Sequence, residues 1–445
     1  MGESMMEITN FEQTGLDKVV QWIKNNNITD LKQEALREAL KTVNLSFAVE
    51  GINRVQSTLL CELKDSYVQQ SQRYVAMDED AYCLPELSEK DNKQARQLVN
   101  QAFQLYEKMS ELKEGEFKGR PQLEHYKHGI PIEDARYILP LATKTNVSVA
   151  MTGNKLYDLF SLLFKEKYSV LFAEMREKLI TLLPDCLVQL LPHELSGDDN
   201  SELIKKLYQE QFSQLTAEEN MILLNSFDDV DLKVGLGAAT STSPQPPSEK
   251  LDAWGEEAQD KAKGLTARVL GYGHESIAEQ ARTTFAMMCS MVTYHQQIRH
   301  RLSENHREKL IELILQERPA LVPPTIEGSK FEGAFLKLVD EIKQFRIYIY
   351  KEYGLDKTLP FLLNCDQIKL IMSTNARIDQ EMLAERICLN AQWEIRQLST
   401  KKLLQLRELS DVLYEKALPS CVYGKCKEGK LSCGRQEEVR ERFLD

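Results

Sequence analysis

The residues best suited to chemistry lie in a stretch at positions 271–308, which holds four of the seven histidines of the chain. Within it, Arg299, His300 and Arg301 follow one another directly behind a strongly apolar run. The planar guanidinium group of arginine binds phosphate through two parallel hydrogen bonds, so two arginines around a histidine predict an anion site. The alternative is a solvated surface turn, because charged side chains are usually exposed.

Two elements must position this cluster. Ser276 and Glu279 have the capping-box spacing of a helix start. The run from Thr283 to Thr293 is rich in Thr, Met, Phe and Val, which predicts a buried strand or helix. Gln296 follows this run on the approach to the arginines. The cluster is therefore expected at the end of a buried support.

The whole chain has 445 residues and a net charge of −12. Its length allows two or three domains. The negative net charge argues against general binding of nucleic acid, which needs a basic surface. No apolar run approaches the roughly 18 residues that predict a membrane span, and residues 1–13 lack the pattern of a secretory signal. The nine cysteines suggest reduced thiols. We therefore expect a cytoplasmic protein without nucleic acid or membrane as a partner.

Helical periodicity dominates the first half of the chain, where residues 16–23 and 31–43 space apolar side chains by three and four. Residues 331–350 predict a long amphipathic helix in the second half. Between the halves, residues 235–250 are rich in Gly, Ser, Thr and Pro, which predicts a loop or linker.

A further helix is predicted from a cap at Asp379 to Leu398. Its apolar face carries Met382, Trp393 and also Arg386. An arginine on an apolar face needs an anionic or carbonyl partner. That partner is either a ligand or one of the many glutamates of the chain.

Three cysteines near the C-terminus, Cys421, Cys426 and Cys433, have a spacing that could bind zinc. A closed structural zinc site needs a fourth ligand, which Cys83 or a histidine could supply. The alternative is three ordinary reduced cysteines in a mobile tail.

Two stretches of the chain together resemble the signature of the flavin-dependent thymidylate synthase family (ThyX), Arg-His-Arg-x-x-Ser-x-Asn-x-x-Ser-x-Arg-Tyr. The second half carries its beginning, Arg299-His300-Arg301, with Gln296 before it. The first half carries its end in Ser71, Arg73 and Tyr74, and Cys61-Glu62-Leu63 stands in the place of Arg-His-Arg.

Other segments are similar to the same family. Ala135-Arg136 before Leu139-Pro140 matches its Ala-Arg-x-x-Leu-Pro segment, and Asn375-Ala376-Arg377 matches its Asn-Ala-Arg segment. Arg386 stands in the place of its catalytic arginine, whereas Asp356 stands where a nucleotide-binding arginine belongs.

The resemblance implies a helix-rich α+β fold with two tandem domains that form a pseudo-dimer. A degenerate domain would span residues 1–225, a second domain residues 226–418, and a cysteine-containing tail residues 419–445. Because the family works as a tetramer with shared sites, a homodimer of tandem chains would resemble that tetramer.

The resemblance also implies the ligands and the residues that bind them. The reaction would convert dUMP to dTMP with FAD as cofactor and with NADPH and methylenetetrahydrofolate as co-substrates. Arg386 would be catalytic. The implied substrate-binding residues are Ser71, Arg73, Tyr74, Arg136, Gln296 and Arg299. The implied cofactor-binding residues are Ser276, Arg299, His300, Arg301, Asn375 and Arg377.

The complementary losses of the two halves predict one composite site, in which Ser71, Arg73 and Tyr74 join Asn375 and Arg386. One alternative is a non-catalytic descendant that binds a nucleotide or flavin in a regulatory role. Another is a helical scaffold that has lost its ligands.

Overall fold

A computed structural model describes residues 6–73, 75–110, 130–197, 203 and 206–444. The chain forms two compact units. The first unit contains the described residues up to 110, residues 130–197 and the segment Lys309–Gln367. The second unit contains the described residues of Ser201–Glu308 and the chain from Ile368 onward. The units therefore do not follow the order of the chain, because a segment from the second half belongs to the first unit.

Among the described residues, each unit contains a four-stranded sheet, and the two sheets share one strand order. The first sheet is ordered β1-β2-β4-β3 and the second β5-β6-β8-β7. The pairs β1–β2, β2–β4, β3–β4, β5–β6 and β7–β8 are antiparallel. The strands are β1 (Glu7–Thr14), β2 (Asn44–Asn53), β3 (Ser66–Gln69), β4 (Lys144–Thr152), β5 (Met221–Asn225), β6 (Arg282–Ser290), β7 (Glu304–Arg307) and β8 (Gln367–Asn375). The predicted α+β class with two tandem domains is confirmed.

The helices lie between and after these strands. Those of the first half are α1 (Leu16–Asn25), α2 (Gln33–Leu40), α3 (Arg54–Cys61), α4 (Glu89–Met109), α5 (Ile132–Ala135), α6 (Leu156–Leu163), α7 (Ala173–Leu182) and α8 (Asp185–Val188). The next are α9 (Gln209–Gln214), α10 (Val230–Thr242), α11 (Pro247–Trp254), α12 (Ala258–Gly271) and α13 (Met291–Gln297). The last are α14 (Glu312–Leu315), α15 (Glu332–Tyr353), α16 (Leu355–Thr358), α17 (Ala376–Arg386), α18 (Trp393–Leu409), α19 (Ser420–Tyr423) and α20 (Gln436–Leu444).

Sheet register shows which positions of the two repeats correspond. Ser66 pairs with Ala150 in the first sheet, and Glu304 pairs with Ser373 in the second. Counting along the chain from these pairs, Cys61 corresponds to Arg299, Thr152 to Asn375 and Leu156 to Asp379.

The segment Lys309–Gln367 is bonded into the first unit through its backbone. Leu141 N donates to Leu362 O at 2.6 Å, and Asn364 N donates to Leu139 O at 3.0 Å. Its long helix α15 packs against α4, and within the segment Arg346 forms a buried ion pair with Asp366. The predicted helix over residues 331–350 is confirmed, with its bounds at Glu332 and Tyr353.

The predicted linker over residues 235–250 is wrong. Helix α10 continues to Thr242, and α11 begins at Pro247 with a proline in its first turn. The small residues serve helix packing, because a Cβ on Gly235 would lie 2.5 Å from the Cα of Ala262 on α12. A close helix contact therefore produces the composition that is typical of a loop.

The predicted helix from Asp379 to Leu398 is also wrong. Asn375 caps α17 by accepting a hydrogen bond from Ile378 N at 3.0 Å, and α17 ends at Arg386. A separate helix, α18, begins at Trp393. Asp379 is buried inside α17 instead of capping it.

Ser276 and Glu279 do not form a capping box. They lie in a 3-10 helix, Glu275–Gln280, that has no side-chain cap hydrogen bond. The apolar run after them is the strand β6 followed by α13, and both are almost fully buried, which confirms the predicted buried support.

Two glycine substitutions test the close contact between α10 and α12. Gly235→Ala would place a methyl group against the backbone of Ala262, so we expect it to lower the free energy of unfolding by about 1–3 kcal/mol. Gly264→Ala on α12 meets no atom within 4 Å. This matched variant should raise stability by roughly 0.5–1 kcal/mol, because alanine is the better helix former. Urea titrations measure both changes, and a neutral Gly235→Ala would contradict the packing.

Candidate functional site

The loop after α13 carries the histidine of the Arg-His-Arg cluster. Ser290 ends β6 and caps α13, where its Oγ accepts from Thr293 N at 3.2 Å. After the helix, Ser303 Oγ donates to His300 O at 2.6 Å. Asn305 Nδ2 donates to Ser303 Oγ at 2.8 Å. The loop is therefore closed by its own hydrogen bonds, and Ser303 and Asn305 hold it.

Arg386 and His300 contact each other directly. Arg386 Nε donates to His300 Nε2 at 2.7 Å, across 86 positions of sequence. A histidine nitrogen that accepts a hydrogen bond is unprotonated, so the ring proton lies on Nδ1. The structure thus brings the predicted catalytic arginine to the predicted cofactor-binding histidine.

Electrostatics keeps this histidine neutral. Burial, together with the positive charges of Arg386, Lys402 and Arg299, lowers the pKa of His300 from 6.5 to about 3. Burial disfavours the charged ring, and each neighbouring cation adds to that effect. His300 therefore accepts from Arg386 throughout the physiological pH range.

A buried carboxylate joins β6 to the start of α18. Glu394 accepts from Ser290 N at 2.6 Å and from the Ser290 hydroxyl. Gln392 caps α18 with its Oε1, which accepts from Glu394 N at 3.1 Å. These contacts fix the N-terminus of α13 and, through it, the loop that carries His300.

The remaining residues predicted in the second unit have mixed surroundings. Gln296 is buried, and its Oε1 has no hydrogen-bond partner among the described residues. Asn375 is the cap of α17. Arg377 forms an exposed ion pair with Glu279 at 2.7 Å. Ser276, like Arg299 and Arg301, is exposed. Their predicted roles in ligand binding stay predictions.

The first unit brings Ser71, Arg73 and Arg136 together around Glu133. Arg73 Nε donates to Glu133 Oε2 at 2.7 Å, and both side chains are buried. Arg73 N donates to Ser71 Oγ at 3.2 Å. Arg136 Nε donates to the backbone oxygen of Glu133 at 3.0 Å. Glu133 therefore orients both arginines. Tyr74, the remaining predicted residue of this set, lies outside the described residues.

Asn364 is a further part of this cluster that the sequence pattern did not single out. Its Nδ2 donates to Arg136 O at 2.9 Å and to Gln72 Oε1 at 3.3 Å. Asn364 is fully buried and comes from the Lys309–Gln367 segment. No local motif links it to Arg136, because 228 positions separate the two residues.

Asp356 occupies the position that corresponds to Arg136, and its surroundings differ in charge. It accepts from Val170 N at 3.0 Å, and burial raises its pKa from 3.8 to about 6. It lines a cavity of about 260 Å³ together with Asn53, Gln56 and Lys144. A carboxyl group here is unsuited to hold a phosphate.

The three cysteines of the tail lie near one another and near Cys388. Burial, followed by the thiols of Cys426 and Cys433, raises the pKa of Cys421. Burial likewise raises the pKa of Cys388, with smaller effects from Glu428, Cys433 and Cys421. Among the described residues no three His, Cys, Asp or Glu side chains are placed to hold a metal ion. The zinc site therefore stays a prediction.

The site residues thus fall into two sets. Ser71, Arg73 and Arg136 belong to the first unit, whereas Arg386, His300 and the other described site residues belong to the second. The composite site expected from the sequence stays a prediction. In the described part of the chain, no helix is both long enough and apolar enough to cross a membrane.

The chain belongs to the family described as thymidylate synthase complementing protein. The model of that family matches residues 7–184 and again residues 223–410. Two matches in one chain, with one strand order in both sheets, show a tandem duplication. The resemblance to flavin-dependent thymidylate synthases is thereby confirmed.

Individual relatives match about one repeat of the chain. A flavin-dependent thymidylate synthase from Clostridium tetani is 26% identical over 205 residues, which cover 42% of this chain and 82% of that protein. One from Thermococcus kodakarensis is 35% identical over 176 residues, 37% of this chain and 72% of that protein.

A solved structure, the flavin-dependent thymidylate synthase ThyX from Helicobacter pylori complexed with FAD and dUMP, is 18% identical with a TM-score of 0.36. It covers 45% of this chain and 99% of that chain.

His300 predicts a pH dependence of stability. Its pKa is about 3 in the folded chain and ordinarily 6.5, so the unfolded chain binds the extra proton first as the pH falls. The contribution of the neutral His300 ring to the free energy of unfolding should therefore be fully present above about pH 6.5. It should be lost as the pH falls toward about 3. Between about pH 7 and pH 5, we expect the wild-type free energy of unfolding to fall by about 2 kcal/mol more than that of His300→Gln.

Glutamine keeps a neutral acceptor for Arg386 but does not titrate in this range. His306→Gln, which replaces an exposed histidine of β7, serves as the control and should follow the wild type. Urea titrations at both pH values provide the measurement. Equal losses in wild type and His300→Gln would contradict a neutral His300.

Proposed function

We propose that the chain binds FAD and dUMP and catalyses the reductive methylation of dUMP to dTMP. Methylenetetrahydrofolate would supply the carbon, and NADPH would reduce the flavin. The observation that carries this proposal is the hydrogen bond between Arg386 Nε and the neutral His300 ring at 2.7 Å. This hydrogen bond fixes the direction of a cation at the end of α17. The relatives of the chain are named flavin-dependent thymidylate synthases.

Arg386 would act on the uracil ring by orientation and charge. Its Nε is engaged by His300, so the plane of the guanidinium group is set before the substrate arrives. A preorganised cation stabilises negative charge that develops on a bound ring more strongly than a mobile one does. Arg386 would thereby favour the N3-deprotonated form of uracil.

The flavin, when bound, would supply the hydride chemistry. The residues of this chain that fit such a group are Arg299, His300 and Arg301, because two guanidinium groups and an imidazole N–H donor on one loop suit the oxygen atoms of an anionic cofactor. Ser303 and Asn305 would keep that loop in place.

Arg73 and Arg136 would hold the nucleotide phosphate. Glu133 fixes one guanidinium group through its carboxylate and the other through its backbone oxygen. The hydroxyl of Ser71 lies beside them and could donate to a phosphate oxygen. Asp356 at the corresponding position suggests that only one repeat contributes such a site.

A non-catalytic nucleotide- or flavin-binding role is the second candidate. It is favoured by Asp356 and by Cys61-Glu62-Leu63, which replace basic residues of the family pattern. Such a protein would bind the ligands without turnover.

Absorbance spectroscopy of the purified protein separates these candidates. We expect a bound-flavin spectrum after addition of FAD, and we expect dUMP to perturb it because the uracil ring would stack near the flavin. Turnover follows from dUMP-dependent oxidation of NADPH in the presence of methylenetetrahydrofolate. Flavin binding without turnover would favour the second candidate. No flavin uptake at saturating FAD would contradict the enzyme activity and leave a nucleotide-binding or scaffolding role.

Substitution of Arg386 tests the catalytic role. Arg386→Lys keeps the charge but loses the Nε donor and the planar group, so we expect turnover to fall by about 100-fold or more. The flavin spectrum should be retained. Arg407→Lys, in the last turn of α18, is the control and should leave turnover unchanged. Turnover within a few-fold of wild type in Arg386→Lys would rule out this role.

A further inference from the structure

The buried amide of Asn364 connects the two segments of the first unit that carry Arg73 and Arg136. Its Nδ2 donates to Arg136 O at 2.9 Å and to Gln72 Oε1 at 3.3 Å. Asn364 is fully buried, and Gln72, the chain neighbour of Arg73, is 4% exposed. One NH2 group therefore uses both of its N–H bonds to join the loop that contains Arg73 to the turn that contains Arg136.

The backbone of Asn364 is bonded to the same turn. Asn364 N donates to Leu139 O at 3.0 Å, and Cys365 N donates to Tyr137 O at 3.0 Å. Asn364 lies in the second of the two family matches, residues 223–410, but in the first unit of the structure. The second repeat thus supplies a side chain to the arginine cluster of the first.

The first repeat has a different residue at the corresponding position. Counting from the Leu-Pro pair of each repeat, Asn364 corresponds to Lys144, just as Asp356 corresponds to Arg136. Lys144 is partly exposed and lines one cavity with Asp356. The fold therefore accepts a lysine at this position, and the buried asparagine occurs where the arginine is kept.

The arrangement also leaves two buried polar atoms without a hydrogen-bond partner among the described residues. They are Asn364 Oδ1 and Gln72 Nε2. A buried polar atom without a partner costs stability, whereas replacing both amides by apolar groups of similar shape would cost the fold little. The amide pair therefore points to a role at the neighbouring arginines rather than in holding the fold.

Net charge alone does not make this cluster a phosphate site. Glu133 accepts from Arg73 Nε at 2.7 Å, and the carboxylate of the next residue, Asp134, is also buried. These carboxylates offset the charges of the two guanidinium groups, so phosphate binding depends on where the guanidinium N–H bonds point. A contact through two parallel hydrogen bonds requires such a fixed direction.

We propose that Asn364 is a positioning residue that holds the segments of Arg73 and Arg136 at a fixed spacing, so that their guanidinium groups meet the phosphate of the nucleotide. This role rests on the proposed function, which assigns the phosphate to the two arginines. It adds that the preference for a nucleotide over the nucleoside without phosphate depends on a residue of the second repeat.

The test compares dUMP with deoxyuridine, which differ only in the phosphate. Isothermal titration calorimetry of the full chain, with FAD present and absent, gives the phosphate preference as the ratio of the two dissociation constants. Asn364→Leu and Gln72→Met each remove one end of the bridge. Lys144→Leu changes the corresponding position of the other repeat and is the matched control.

Either single substitution is expected to weaken the binding of dUMP by about tenfold, because the arginines are no longer held in position. The binding of deoxyuridine should stay unchanged, and Lys144→Leu should change neither ligand. The variant with both substitutions should bind dUMP no more weakly than either single variant, because both remove one shared contact. A merely structural role would weaken both ligands alike. In turnover measurements the KM for dUMP should rise while kcat is retained.

The outcomes separate this role from the proposed function. A phosphate preference that survives Asn364→Leu would overturn the role and leave the proposed function intact. If Asn364→Leu does not fold, Gln72→Met carries the same expectation. A preference for dUMP that Asn364→Leu abolishes, in a chain without turnover, would support the role and contradict only the enzyme activity. A wild-type chain without any preference for dUMP would contradict the phosphate site of the proposed function and this role with it.

Discussion

The hydrogen bond from Arg386 Nε to His300 Nε2 is the contact on which the second unit's site depends. It joins the end of α17 to the loop after α13, and it exists only while the imidazole is neutral. The surroundings meet that condition by burial and by positive charge rather than by a neighbouring carboxylate. The contact between the loop and the helix end thus depends on one protonation state of His300.

Several elements could be predicted from the sequence because their physical cause is local. The apolar period of α15 predicted that helix with nearly correct bounds. The apolar run of residues 283–293 predicted a buried support but did not decide between strand and helix. The loop predicted at residues 235–250 was wrong because the close approach of Ala262 requires a glycine at position 235. Composition alone cannot distinguish a glycine required by helix packing from a glycine in a loop. The prediction that Asp379 caps the helix was wrong because Asn375, four residues earlier, has the same capping chemistry. Which of the two residues caps the helix depends on burial.

For the site, the sequence predicted the types of the functional residues but not the residues that contact them. Arginines suited to anions could be named from their types and from the family pattern. Their partners could not, since Glu133 lies 60 positions from Arg73 and Arg386 lies 86 positions from His300. Lys402 carried no signal at all, because a lysine on a helix is usually solvated. Only the packing of α17 on α18 turns it into a buried charge.

The assignment of Lys309–Gln367 to the first unit has a consequence for biosynthesis. Domains generally fold as they leave the ribosome, the N-terminal one first. Here α4 must wait for α15, and the backbone of Leu141 must wait for Leu362. The first unit therefore remains incomplete until most of the chain has been translated, and the face of α4 that α15 covers stays without its partner helix until then.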